Sequence, residues 1–393
     1  MLGDIPAVVV GGTLNGLGVI RSLSQGRMPI YVLDSTRRCA ASWSRHCTFV
    51  QTPSLEGEDL VRTLVDLARH LRSRPVLILT AEQSVSSISM HRERIEPLYR
   101  ISLPSAPIVE ALADKTLFHA LGEQAGFALP RAVALRDPTE LAGLQGLLPP
   151  LIIKPADKLL VLRGVCARAV RAETLRDAER AAVRMLASAP HIIVQEWIDG
   201  PDTQILFTLF SCDRRGDLIG AFTGRKLVCS PPGIGNTAVC VAAPEEAAEL
   251  RAQTLRFIES TRYRGLGSLE FKRDPRTGRA LIIEPTVGRT DWQEEIATLC
   301  GVNLPLLTYW AEAERPARAS MGRSECIAWR SAMEHGVPAA LLGPRVRIFD
   351  GFFRWDDPLP ALYHYGYEAL ALRLWRRVHR GGSMAVCQED RDR

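Results

Sequence analysis

Apolar and polar positions in the first hundred residues alternate in short blocks. Residues 7–10 (AVVV), 29–33 (PIYVL) and 75–79 (PVLIL) are apolar runs of strand length. The first ends in Gly11-Gly12-Thr13-Leu14-Asn15-Gly16-Leu17-Gly18, and a helical pattern, LGVIRSLSQG, follows it. A further helical pattern covers 57–72. Strand, glycine turn and helix in repetition predict a parallel sheet with Rossmann-like winding over 1–104.

The texture changes near Pro104. Ala111 to Lys115 opens a helix, Leu151-Ile152-Ile153-Lys154-Pro155 reads as a strand, and an Ala-rich charged helix is predicted over about 172–187. HIIVQE at 191–196 is the next strand. The turn sequences Asp213–Asp217 and Asp274–Gly278 each separate two strand-like runs and predict hairpins. Residues 105–311 therefore read as α+β, with a smaller subdomain at about 150–200. Residues 312–393 read as an extension with a strand at 326–330, an amphipathic helix at 361–380 and a frayed polar tail.

Composition narrows the class. With 46% hydrophobic and 24% charged residues in 393, the chain has material for a sizeable core. A net charge of +5 gives no reason to expect a nucleic-acid partner. Nine cysteines without a C-x-x-C pair suggest reduced thiols and a cytoplasmic protein, not zinc or a disulfide framework. No apolar run reaches the ~20 residues of a membrane span. Trp43, Trp292 and Trp310 are expected in the core.

The cations are uneven: five are lysine (Lys115, Lys154, Lys158, Lys226, Lys272) and 44 are arginine. A lysine surviving such a bias marks a position suited to a compact ammonium. Lys115 opens a helix, Lys154 ends a strand, Lys226 follows Arg225, and Lys272 follows Glu270 by two residues. Lys158 falls in what reads as an ordinary loop. Glu270 and Glu284 lie on the arms of the second hairpin, where cross-strand neighbours are about 5 Å apart. Carboxylates that close repel unless a cation lies between them, and Mg²⁺ favours one or two carboxylates plus substrate phosphates. Lysines with paired acids therefore point to Mg·ATP.

With these motifs in this order, residues 104–311 resemble the ATP-grasp enzymes, and the part before them resembles that superfamily's pre-ATP-grasp domain. Within it the chain looks most like carboxylate–amine ligases of the D-aspartate ligase type, on the turn GGxxNGLGVIRSL. The resemblance implies that Lys115 and Lys154 contact phosphate. It makes Gln195-Glu196-Trp197-Ile198 the adenine hinge, through backbone groups of Glu196 and Ile198, with Asp202 toward the ribose. It makes Glu270, Glu284 and, in place of the usual Asn, Thr286 the ligands of one or two Mg²⁺ ions. Arg225, Lys226 and, one residue later than usual, Arg289 fall near the transferred phosphate. The segment 157–164 departs from a glycine-rich phosphate cradle, having one glycine.

The implied reaction is ATP-dependent amide formation through an acylphosphate, from a small-molecule or cell-envelope-precursor carboxylate and an amine. Three other readings stand beside it. They are bicarbonate activation of the biotin-carboxylase kind, an NAD-dependent oxidoreductase on the N-terminal turn with Asp34 at the ribose, and a non-catalytic nucleotide binder. Arg373, Arg376, Arg377 and Arg380 on the last helix suit weak contact with an anionic membrane surface. Packing against the protein's own domain is the commoner fate of such a helix.

Overall fold

The computed structural model describes residues 5–316, 326–342 and 345–368. The four arginines of the last predicted helix lie outside these residues.

Strands β1 (Ala7–Val10), β2 (Ile30–Asp34), β3 (Thr48–Gln51) and β4 (Val76–Leu79) form a parallel sheet in the order 3-2-1-4. β1 and β4 are buried throughout, as apolar runs covered on both faces must be. Helices α1 (Leu14–Ser24), α2 (Gly57–His70), α3 (Glu82–Met90) and α4 (Arg92–Ile95) connect and flank them. The glycine turn exists for close packing: a Cβ on Gly16 would lie 2.0 Å from the Gly11 carbonyl oxygen.

The helix expected after Pro104 is two. α5 (Ala106–Ala113) stops at Asp114, whose side chain then caps α6 (Lys115–Gln124) by accepting from the Thr116 and Leu117 amides at 2.8 and 3.0 Å. This places Lys115 at the first position of α6.

A second, antiparallel sheet is built from β5 (Ala132–Leu135), β6 (Leu151–Pro155), β7 (Val170–Ala172) and β8 (Ile192–Glu196), in the order 5-8-6-7. One short helix, α7 (Lys158–Leu162), follows β6, and α8 (Leu175–Leu186) covers the sheet. α8 buries Ala178, Ala181, Ala182 and Met185 and leaves Arg176, Arg180 and Arg184 on the other side.

The largest sheet has seven strands in the order 13-12-9-10-11-14-15. β9 (Ile205–Cys212), β10 (Leu218–Ser230), β11 (Asn236–Ala242), β12 (Gly265–Arg273), β13 (Ala280–Val287) and β14 (Ile327–Arg330) pair antiparallel, and β15 (Arg347–Asp350) adds a parallel edge. Both predicted hairpins are present. α9 (Ala247–Thr261), α10 (Glu295–Leu299) and α11 (Leu304–Glu312) pack around it. The strand near Cys326 is thus not peripheral: β14 continues the central sheet. Trp43, expected in the core, is 45% exposed and stacks on Tyr363 with ring centroids 5.3 Å apart. Trp292 and Trp310 pack against the core as expected.

Candidate active site

The hairpin β12–β13 puts Glu270 directly opposite Glu284. Each carboxylate is met by a lysine from a different strand or helix. The ammonium of Lys226, on β10, bonds Glu270. That of Lys158, at the start of α7, lies 2.8 Å from Glu284 and 3.7 Å from Glu82, and donates to the Pro285 carbonyl at 3.1 Å. Arg289 pairs with the other oxygen of Glu82 at 2.5 Å. Lys154 donates to the Gln195 side chain at 3.2 Å. The first sheet's α3, the small sheet and the central sheet therefore meet in one cluster of charges.

The acids are held differently. Burial works to raise the Glu284 carboxyl, but Lys158, Lys115 and Lys154 overcome it and keep it well below the ordinary carboxylate range. Burial also works to raise Glu82, and Lys158 with Arg289 brings it down to about 2. At Glu270 burial prevails over Lys226 and the carboxyl is raised. Lys115 is lowered to about 8 by burial, with Glu284 opposing. Burial lowers Lys154 as well. Ammonium groups made this costly to keep charged are poised for an anion.

Sequence reading misses three members. Lys158 reads as part of an ordinary loop, yet Asp157 caps a helix there, accepting from Leu159 at 2.7 Å, and the turn aims Lys158 at Glu284. The Asp-x-x pattern before an apolar run is the available signal. Glu82 arrives from a helix about 200 residues away in sequence, and no local pattern announces such a contact. Asp291 accepts from Thr286 at 2.7 Å and from Ser268 at 2.5 Å, each two residues along its strand from one of the paired acids.

Several expected members sit elsewhere or are otherwise engaged. Arg225 is turned away: neighbours on a strand face opposite sides, so it bonds Glu246 at 2.7 Å, Glu245 at 2.9 Å and the Thr203 carbonyl at 2.8 Å while Lys226 faces Glu270. Thr286 directs its hydroxyl proton at Asp291. In the hinge segment, the Glu196 amide donates to the Arg131 carbonyl and the Trp197 amide to the Pro150 carbonyl, both at 2.9 Å. Ile198 is buried. Both oxygens of Asp202 hold the β10–β11 connection, through the Cys229 and Gly233 amides at 2.7 and 2.8 Å.

The donor set, two facing carboxylates, suits a hard divalent cation. Among the described residues no three acids, cysteines or histidines gather to hold a metal. The N-terminal turn is different. Asp34 is buried and accepts from the Gly12 amide at 2.7 Å and the Thr36 amide at 3.2 Å. That carboxylate is spent on its own turn rather than offered to a dinucleotide ribose.

No protein-family model matches the sequence, and neither does any curated protein. Solved structures do match in shape. N5-carboxyaminoimidazole ribonucleotide synthetase from Thermus thermophilus superposes with a TM-score of 0.64 at 16% identity, over 85% of each chain. The fold is that of the ATP-grasp enzymes. N5-carboxyaminoimidazole synthase from Aspergillus clavatus, solved with ADP and 5-aminoimidazole ribonucleotide, gives 0.62 at 14% identity, over 81% of this chain and 79% of its own. The biotin carboxylase domain of Hydrogenobacter thermophilus 2-oxoglutarate carboxylase, solved with MgADP and bicarbonate, gives 0.63 at 15% identity, over 80% and 71%. No described helix is long and apolar enough to cross a membrane, and no described cysteine is in a disulfide.

Proposed function

We propose that this protein is an ATP- and Mg²⁺-dependent ligase that activates a small-molecule carboxylate and joins it to an amine. The observation that carries the reading is the in-register pair Glu270 and Glu284, each met by a lysine, with Lys115 and Lys154 close enough to act on Glu284. The D-aspartate-ligase likeness of the N-terminal turn favours an amino acid as one of the two substrates.

Glu270 and Glu284 would hold Mg²⁺. When bound, it supplies charge neutralisation at the phosphate oxygens. Lys115 and Lys154 hold the nucleotide phosphates, and Lys158 moves from Glu284 to the incoming phosphate. A carboxylate oxygen of the substrate attacks the γ-phosphorus and ADP leaves, giving the acylphosphate. Lys226 and Arg289 stabilise charge on the transferred group. The amine nitrogen then attacks the acyl carbon, the carbon–oxygen bond to phosphate breaks, and the amine's proton passes to the departing phosphate. Positioning and electrostatics do this work without a covalent enzyme intermediate.

Bicarbonate as the acid is the second reading. It is favoured by the solved neighbour that holds bicarbonate with MgADP. ADP release measured across a matrix of carboxylates, bicarbonate included, against amines tests both. Release needing an organic carboxylate and an amine together supports the first, and release with bicarbonate alone or with an amine supports the second. No release in any pair, with ADP still bound, would leave a nucleotide binder.

A further inference from the structure

Lys272 differs from the other four lysines. It stands on β12 two residues beyond Glu270, so both side chains leave the same face of the strand, about 7 Å apart along it. It is 4% exposed, and its Nζ has no hydrogen-bond partner. The Trp197 ring lies 4.6 Å from that nitrogen, and Arg171 stands 4.9 Å from the same ring. The nearby acids are committed elsewhere. Asp202 holds the Cys229 and Gly233 amides, and Asp199, exposed, faces Arg171 at 3.8 Å. An ammonium carries three donors, and burying it with none satisfied is unfavourable. The aromatic contact offsets only part of that.

The surroundings define what is missing. Glu270 marks the phosphate end of the cleft, and Lys272 lies one strand repeat farther, beside the indole of the hinge. A flat group with a ring acceptor suits an indole and an unpaired ammonium side by side. A phosphate does not, because the Glu284 cluster already serves that charge.

We propose that Lys272 donates a hydrogen bond from Nζ to a ring nitrogen of the nucleotide base and thereby helps select the nucleotide. This rests on the nucleotide-binding reading above. The test is calorimetric titration of the full chain with ADP, with ADP analogues carrying carbon at single ring-nitrogen positions, and with 2′-deoxy-ADP. The expected result is one ring-nitrogen analogue binding at least fivefold more weakly than ADP. Lys272→Met, at an unchanged melting temperature, is expected to weaken ADP to that level and to erase the difference, with Lys272→Arg recovering part of it. An unmodified protein indifferent to every ring nitrogen overturns the proposal, and this arm needs no variant to fold. So does Lys272→Met binding ADP within twofold of the parent, or a penalty confined to 2′-deoxy-ADP, which assigns Nζ to the ribose. Failure of the parent to bind ADP at all overturns the nucleotide reading instead.

Discussion

Two buried networks of charge run through this molecule, and they are built in opposite ways. One joins α1 to the segment after β15. Arg21 bonds Asp357 at 3.1 Å and also the carbonyls of Gly351 and Phe352 at 2.9 and 2.7 Å. Asp357 in turn accepts from Ser44 and the Arg45 amide at 2.9 and 3.0 Å. Glu295 takes Arg354 at 2.7 Å and the Trp329 indole at 3.2 Å. Several of these bonds go to the backbone. The other network is the cleft, where Lys226, Lys158 and Arg289 lean chiefly on acids. The first is a fixed joint. In the proposed function the second trades its partners for a ligand's oxygens, and what then separates the two networks is how many of their bonds go to the backbone.

Four experiments test that contrast, from the largest effect to the smallest. Arg21→Met should destabilise the fold by about 3–5 kcal/mol, because it strands buried acceptors and Asp357. Denaturant melts would read this, and ADP affinity of the folded fraction should stay within twofold. A milder loss would mean the joint is as exchangeable as the cleft. Lys154→Met should do the reverse, with turnover falling by on the order of 10²-fold and the melting temperature unmoved. Turnover within threefold of the parent would remove Lys154 from the phosphate site.

Glu284→Gln should raise the Mg²⁺ concentration for half-maximal turnover by about tenfold, as one of two anionic ligands is lost. A metal requirement left unchanged would make the pair a structural ion cluster only. The smallest effect is one of pH. Lys115, lowered to about 8, is charged below that pH and neutral above it. Metal-free ADP affinity should therefore weaken severalfold from pH 7 to pH 9, and Lys115→Arg should flatten the change. For stability the sign is opposite. The unfolded chain binds more protons between about 8 and 10.5, so this lysine's contribution to stability rises with pH there. Affinity that holds level to pH 9 would place Lys115 away from the phosphates.

Much of this is legible in the chain. The β12–β13 hairpin and the facing acids follow from the Asp274–Gly278 turn between two apolar runs. Lys154 at a strand end and Lys115 at a helix start are where the local pattern puts them. What escapes has a common cause. Lys158 depends on a one-turn helix, and Glu82 and Arg289 meet only through tertiary packing. Arg225 looks equivalent to Lys226 because a two-residue motif does not state which neighbour faces inward, and the strand's alternation decides it. The last strands, β14 and β15, lie beyond the hairpins and join a sheet edge that no local signal specifies.

The Lys158–Glu284 contact has a consequence for how ligands cooperate. Its two partners come from α7, which follows the small sheet's β6, and from β13 of the central sheet, so one ammonium cross-links these two parts of the molecule. A polyanion arriving alone must strip Lys158 from Glu284 and leave that carboxylate without its direct ion pair. A divalent cation arriving alone must displace the same ammonium, which then keeps only Glu82, 3.7 Å away. Arriving together, they swap partners, cation to carboxylate and ammonium to phosphate, and no charge is stranded. Each ligand should therefore tighten the other by an equal factor, as linkage requires, and the cross-link itself makes the cleft discriminate against half-loaded nucleotide.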